Sequence, residues 1–310
     1  MSGAGLLFPG QGSQFVGMGK DLSDAYPEAR DTFLDADEAL GFPLSQLCWN
    51  GPEEELTSTI NAQPAILVHS IAVWRVLQRR RPNAMIAAGH SLGEFSAYVA
   101  ADAMDFADAV RTVRRRGELM FDSGARRPGT MAAILGLDDA TADAVCSEAS
   151  STTQVVVPAN YNAPGQIVIS GDVAAVERAG ELAREAGAKR VLPLNVSGAF
   201  HSPLMKVAED GLREQLSTVS FRDPSFPVVS NVTARAVASG GTARDLLVEQ
   251  LTSPVRWVAS LHSILETGPG GLIEIGPGSV LAGLLKRVSR EVPVRSLGTA
   301  QEVESYLGEG

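Results

Sequence analysis

A rhythm of short apolar runs set between longer stretches of helical period constrains this chain more than any other feature. The runs at residues 5–8, 84–88, 227–230, 271–275 and 292–296 are too short for buried helices and end in glycine or a polar turn. Such runs read as strands covered on both faces. Between them, residues 21–40, 63–78, 93–101, 106–123, 202–216, 243–251 and 280–288 carry helical patterns. Strands alternating with helices predict an α/β fold with a mostly parallel sheet. A length of 310 residues, 45% of them hydrophobic, is ample for the core that such a sheet needs.

One segment breaks the rhythm. From 126 to 195 the pattern reads strand TMAAILGL, helix DDATADAVCSEA, strand TQVVVPAN, turn YNAPG, strand QIVISG, helix DVAAVERAGELAREAGA and strand KRVLPLNV. That β-α-β-β-α-β order is the ferredoxin-like arrangement. A small domain at 126–195 is therefore expected to interrupt a larger one made of 1–125 and 196–310. The junctions RRPG and NVSGAF suit the two crossings.

Charge and cysteine usage exclude several functions. A formal net charge of −10 disfavours general nucleic-acid binding, which needs a basic surface. Positive charge is nonetheless clumped at 79–81, at 114–116, at Arg126 with Arg127, at Lys189 with Arg190 and at Lys286 with Arg287, so a local basic patch stays open. Cys48 and Cys146 lack metal-ligand spacing and read as packing thiols. No run of about 18 apolar residues appears, and the opening MSGAGLLFPGQG lacks the basic flank of a signal peptide. A cytoplasmic protein without a membrane partner is expected.

Gly89-His-Ser-Leu-Gly93 sits between the strand pattern AMIAAG and the helix pattern GEFSAYVAA. This is the setting of a G-x-S-x-G elbow, a sharp strand-to-helix turn that exposes its central serine. Unpaired N–H groups at the helix start would favour negative charge near Ser91. A serine nucleophile needs a base, and the chain has four histidines. His69 and His262 lie inside helical patterns and read as structural. His90 adjoins the serine, so its side chain is expected to point away and line the pocket. His201, in SGAFHSPLM at the return from the small domain, is the favoured base, because loops at such junctions line clefts. Between Ser91 and His201 no Asp or Glu stands out as a third triad member, and a backbone or amide carbonyl could hold the imidazole instead. The turn FPGQGSQ after the first strand lacks the third glycine and the lysine of nucleotide-binding loops. Its better use is an oxyanion hole, with turn amides or the Gln11 side chain joined by the Leu92 N–H.

Taken together these stretches resemble the malonyl-CoA:acyl-carrier-protein transacylases of fatty-acid synthesis and the related acyltransferase domains of polyketide synthases. The resemblance spans nearly the whole chain, through FPGQGSQ, GHSLGE, RRRGELM, ANYNAPGQIVISG, AFHSPLM, SNVTA, EQLTSPVRW and IEIGPG in that order. It implies a large α/β-hydrolase-like domain carrying an inserted ferredoxin-like one. It further implies that Ser91 is acylated by malonyl-CoA with His201 as base and then acid, and that Gln11 and the Leu92 amide form the oxyanion hole. Gln250 would lie beside His201, its carbonyl in the acid's place. Arg116 matches the family arginine that grips malonate's free carboxylate. Phe200, before the histidine, resembles the malonyl-selective type, and Asn160 and Asn162 match positions lining the cleft. No cofactor or metal is implied. The acceptor would be the phosphopantetheine thiol of a holo acyl carrier protein, drawn by Lys189, Arg190, Lys286 and Arg287, and the enzyme is expected to be a monomer.

Missing a carboxylate triad would leave the histidine a milder base and slow loss of the ester to water, an idea that Gln250→Glu is meant to probe. Three other readings stay open on sequence: a stand-alone acyltransferase of a polyketide pathway, a thioester hydrolase, and a scaffold that only binds carrier protein.

Overall fold

The computed structural model describes residues 3–78 and 83–309; the basic clump at 79–81 lies outside them. The strands are β1 (Ala4–Phe8), β2 (Ala84–Gly89), β3 (Gly129–Leu135), β4 (Val156–Ala163), β5 (Gln166–Asp172), β6 (Arg190–Pro193), β7 (Val228–Val229), β8 (Ala236–Val237), β9 (Leu272–Ile275) and β10 (Val294–Leu297). Six of them form one sheet in the order β10-β9-β1-β2-β7-β8, parallel throughout except for the β7–β8 pair. At its centre, β1 shows why the run LLF has no polar alternation. Leu6 and Phe8 join the core on one face and Leu7 the core on the other, all fully buried.

The other four strands form a separate antiparallel sheet in the order β4-β5-β3-β6. Here the period-2 rule holds. Ala132, Ile134, Ile167 and Ile169 pack on the helices Asp139–Ala149 and Val173–Glu185 in a core of their own, while Met131, Ala159 and Val168 face the main core. The chain is thus α/β, with one mostly parallel sheet and one antiparallel sheet.

Local chemistry accounts for the departures from the sequence reading. The helix expected over 21–40 is two, Lys20–Ala25 and Pro27–Leu40, because Tyr26 before Pro27 is held extended at φ −130° and ψ 119°. Likewise residues 202–216 divide into a 3₁₀ turn, Pro203–Met205, and the helix Lys206–Ser217. In YNAPG the first three residues continue β4, leaving only Pro164 and Gly165 to turn. That extension has a partner: Tyr161 N–H donates to the Val255 carbonyl at 3.0 Å, and Val255 N–H to that of Ala159 at 2.8 Å. The outer edge of β4 is thereby tied to the large body beside Asn160. The helices Leu44–Asn50, Glu53–Thr57, Trp257–Glu266 and Ala300–Gly308 and the short β8 were not foreseen.

Candidate active site

β1 and β2 run parallel with Phe8 opposite Gly89, so the Gln11 loop and the serine turn leave the sheet side by side at its carboxyl end. The elbow is as tight as its glycines imply. A Cβ on Gly89 would lie 1.8 Å from the Gly93 carbonyl carbon, and one on Gly93 would lie 2.0 Å from the Phe8 carbonyl oxygen. Ser91 is held at φ 51° and His201 at φ 55°, left-handed conformations that a non-glycine residue keeps only when its surroundings impose them. For Ser91 the surroundings include Asn231, fully buried, whose Oδ1 accepts the Ser91 N–H at 2.7 Å and whose Nδ2 donates to the Gly89 carbonyl at 2.7 Å.

Ser91 Oγ lies 2.8 Å from His201 Nε2, and His201 Nδ1 lies 2.9 Å from the main-chain carbonyl of Gln250. A carbonyl can only accept, so Nδ1 carries the hydrogen and Nε2 presents its lone pair to the serine hydroxyl. Burial first, and then the positive charge of Arg116, push the His201 pKa down to about 3. The imidazole is therefore neutral at pH 7. The Gln250 side chain points elsewhere: its Oε1 accepts from Arg116 Nη2 at 2.9 Å, and its Nε2 donates to Glu94 Oε2 at 2.7 Å and to the Ser91 carbonyl at 3.0 Å. Gln250→Glu consequently places a carboxylate between Arg116 and Glu94 and not on the imidazole, so it reaches His201 only through the charge of Arg116.

Arg116 projects from the helix Phe106–Arg126 and is 1% exposed. Its Nη1 donates to Gln63 Oε1 at 2.6 Å and its Nη2 to Ser91 Oγ at 3.1 Å. Its Nε has no partner among the described residues. Burial lowers its pKa to about 10, with Glu94 opposing the shift, so the guanidinium keeps its charge at pH 7. A buried cation beside a serine hydroxyl can take an anion as its partner.

A cleft of about 320 Å³ opens over this group; Gln11, His90, Leu92, Arg116, Asn160 and Phe200 line it with Ser91 and His201. The main-chain N–H groups of Gln11 and Leu92 take part in no hydrogen bond among the described residues, while Gln11 Oε1 accepts from Thr59 Oγ1 at 2.9 Å. His90 turns away from Ser91 and sits 2.8 Å from Asn162 Oδ1 with its ring edge on Trp257. Together His90 and Asn162 line a smaller pocket of about 170 Å³ next to the cleft. Three contributors were missed by sequence reasoning: Asn231, Glu94 and Gln63. Asn231 and Glu94 lie within SNVTA and GHSLGE, where nothing local separates them from surface residues. Gln63 did leave a signal, as an amide entering the apolar stretch QPAILVHSIAVW. Among the described residues no three His, Cys, Asp or Glu gather as a metal ion would need, and no helix is long and apolar enough to cross a membrane.

The chain as a whole is matched by a known family. Residues 6–306 match the acyl transferase domain, and the chain belongs to that family. It is 48% identical over 303 residues to the malonyl CoA-acyl carrier protein transacylase of Escherichia coli (strain K12), covering 97% of this chain and 98% of that protein. To the protein of the same description from Bacillus subtilis (strain 168) it is 47% identical over 304 residues, covering 98% and 96%. A malonyl-transacylase solved in complex with its holo type II polyketide-synthase acyl-carrier protein superposes with a TM-score of 0.95 at 44% identity, over 100% of both chains.

Proposed function

We propose that this protein moves a malonyl group from malonyl-CoA to the phosphopantetheine thiol of an acyl carrier protein through an ester on Ser91, supplying extender units for fatty-acid synthesis. The observation that carries the reading is the buried Arg116, 3.1 Å from the Ser91 hydroxyl with an N–H to spare. A neutral acyl chain would leave that charge unpaired, whereas malonate's second carboxylate satisfies it. Phe200, 6% exposed on the cleft wall, supports selection of the unbranched unit.

In the first half-reaction Ser91 Oγ attacks the thioester carbonyl as its proton passes to His201 Nε2. The Leu92 and Gln11 N–H groups receive the charge on the carbonyl oxygen. The C–S bond then breaks, and His201 returns the proton to the sulfur of CoA. In the second half the carrier's thiol gives its proton to His201, its sulfur attacks the ester, and Ser91 Oγ leaves with the proton restored. No cofactor enters either half. The polyketide reading rests on the relative bound to its polyketide carrier; comparing transfer to a fatty-acid and a polyketide carrier decides between them.

The carrier is expected to dock where Lys189, Arg190, Lys286 and Arg287 meet. All four are exposed. Arg287 donates to the Pro164 carbonyl at 2.9 Å and to Gln166 Oε1, and the strand register sets Gln166 beside Leu135 and Leu135 beside Arg190. Both clumps thus share one rim, next to the His90–Asn162 pocket. An acidic enzyme meeting an acidic carrier needs such a patch. Reversing the four charges should raise KM for carrier several-fold in a salt-sensitive way and leave loading from malonyl-CoA intact. Unchanged transfer across a salt series rules the patch out.

We also read the large body as α/β-hydrolase-like, on the strength of its strand-elbow-helix, and residues 126–195 as an inserted ferredoxin-like domain. The strand order β4-β5-β3-β6 and the separate core between Ala132 and Ala183 support that division. Intact-mass analysis tests the chemistry: a malonyl adduct should appear on Ser91 and leave on addition of holo carrier. An adduct that persists in Ser91→Ala, or fails to leave, overturns the proposal.

A further inference from the structure

We infer that Glu94, which touches neither the serine hydroxyl nor the cleft, is the positioning residue that sets the orientation of the Gln250 amide and through it the grip of Arg116 on the acyl carboxylate. The inference rests on the reading of Arg116 given above. A side-chain amide can turn over by 180°, and its neighbours decide which end points where. Here one neighbour, the guanidinium of Arg116, can only donate, and the other, Glu94 Oε2, already accepts the Asn231 N–H and is set to accept again. Just one orientation satisfies both: Oε1 toward Arg116 at 2.9 Å and Nε2 toward Glu94 at 2.7 Å.

The same Glu94 Oε2 accepts the Asn231 N–H at 3.0 Å, and the Asn231 side chain holds the Ser91 N–H and the Gly89 carbonyl. One oxygen therefore orders both the charge filter and the turn that presents the nucleophile. Glu94 is completely buried, and its Oε1 has no partner among the described residues. Such burial is costly for a carboxylate and is not needed merely to start the helix Gly93–Ala100, where an exposed acid would serve. Burial raises the Glu94 pKa to about 7, while the hydrogen bonds from Asn231 and Gln250, and then the charge of Arg116, oppose the rise.

The test is single-turnover loading of Ser91 by malonyl-CoA and by acetyl-CoA, read as the ratio of the two rates. Glu94→Gln removes the carboxylate from the Nε2 end of the Gln250 amide and leaves it only the Ser91 carbonyl at 3.0 Å and Asn231 Oδ1 at 3.4 Å. The amide is then held less firmly against Arg116, and the ratio should fall by about 10- to 100-fold, the range for a hydrogen bond to a charged group. In an Arg116→Ala background the same change should leave the ratio where Arg116→Ala alone puts it. An Arg116→Ala ratio equal to that of the native enzyme overturns the reading of Arg116 itself. A ratio that falls in Arg116→Ala but is unchanged in Glu94→Gln, with both rates reduced alike, overturns only the role of Glu94. If Glu94→Gln does not fold, the swap Glu94→Gln/Gln250→Glu restores an amide facing a carboxylate with the ends exchanged. Recovery of the ratio relative to Gln250→Glu supports the inference, and no recovery overturns it.

Discussion

At Ser91 and His201 the environment runs against the ordinary needs of a base. A histidine pushed down to about 3 is a weak proton acceptor, and the Arg116 charge is part of the cause. An incoming malonyl carboxylate would cancel that charge, so the proper substrate would strengthen the base that activates the serine. In the free enzyme the sign is clear: a lowered folded pKa keeps His201 neutral well below pH 6.5. Its ring ¹⁵N shifts should therefore stay flat from pH 8 to pH 5; a titration centred near 6.5 would contradict the geometry. Asn231→Ala removes two buried bonds from the elbow and leaves the Ser91 N–H and Gly89 carbonyl unpaired. It should cost about 2 to 4 kcal/mol of stability in denaturant melts, and Ser91 acylation should slow. A loss under 0.5 kcal/mol, roughly the noise of a surface change, would mean the turn holds itself.

Strand, elbow and helix were legible around Ser91 because each depends on neighbours in sequence. The glycines in G-x-S-x-G are required by contacts with the turn itself and with the end of β1. Gly89→Ala should therefore destabilise by about 3 kcal/mol or more in thermal melts, since a Cβ would sit within the Gly93 backbone. A near-native melting temperature would show that the turn can relax. Elements set by packing were harder to foresee. Trp257–Glu266 follows on the Val255 segment that pairs with β4, and β4 runs on through Tyr161 with β5 on one edge and Val255 on the other. No pattern inside YNAPG encodes a partner some ninety positions away in the sequence.

Across the whole molecule, buried histidines shape the response to acid. His69, fully buried, is pushed down to about 4 by burial against the opposing pull of Asp21 and the Gly298 backbone, and His90 and His201 are lowered for the same first reason. The unfolded chain takes up these protons near pH 6.5, whereas the folded one takes them up lower, at about 4 for His69 and about 3 for His201. Between those values the unfolded state binds more protons, so stability falls as pH drops below 6.5. Glu94, raised to about 7, works the other way above pH 4.5. His69→Leu should flatten the decline between pH 6.5 and 4 by about one proton in the slope of unfolding free energy against pH. An unchanged slope would place its protonation outside that window.

By itself the sequence determined the alternation of the main strands and helices, the elbow and the glycine-rich turn after the first strand, whereas Arg116 was singled out only by the family resemblance. The first three are local: period, turn chemistry and spacing act over a few residues. Only the tertiary structure decided that a main-chain carbonyl and not a side chain holds the His201 ring, that the Gln250 amide faces Arg116, and that Asn231 and Glu94 stand behind the serine. Each of those is a hydrogen bond between residues far apart in the chain, made or lost within an ångström. Such a distance is set by the packing of the whole core and is carried by no short stretch of residues.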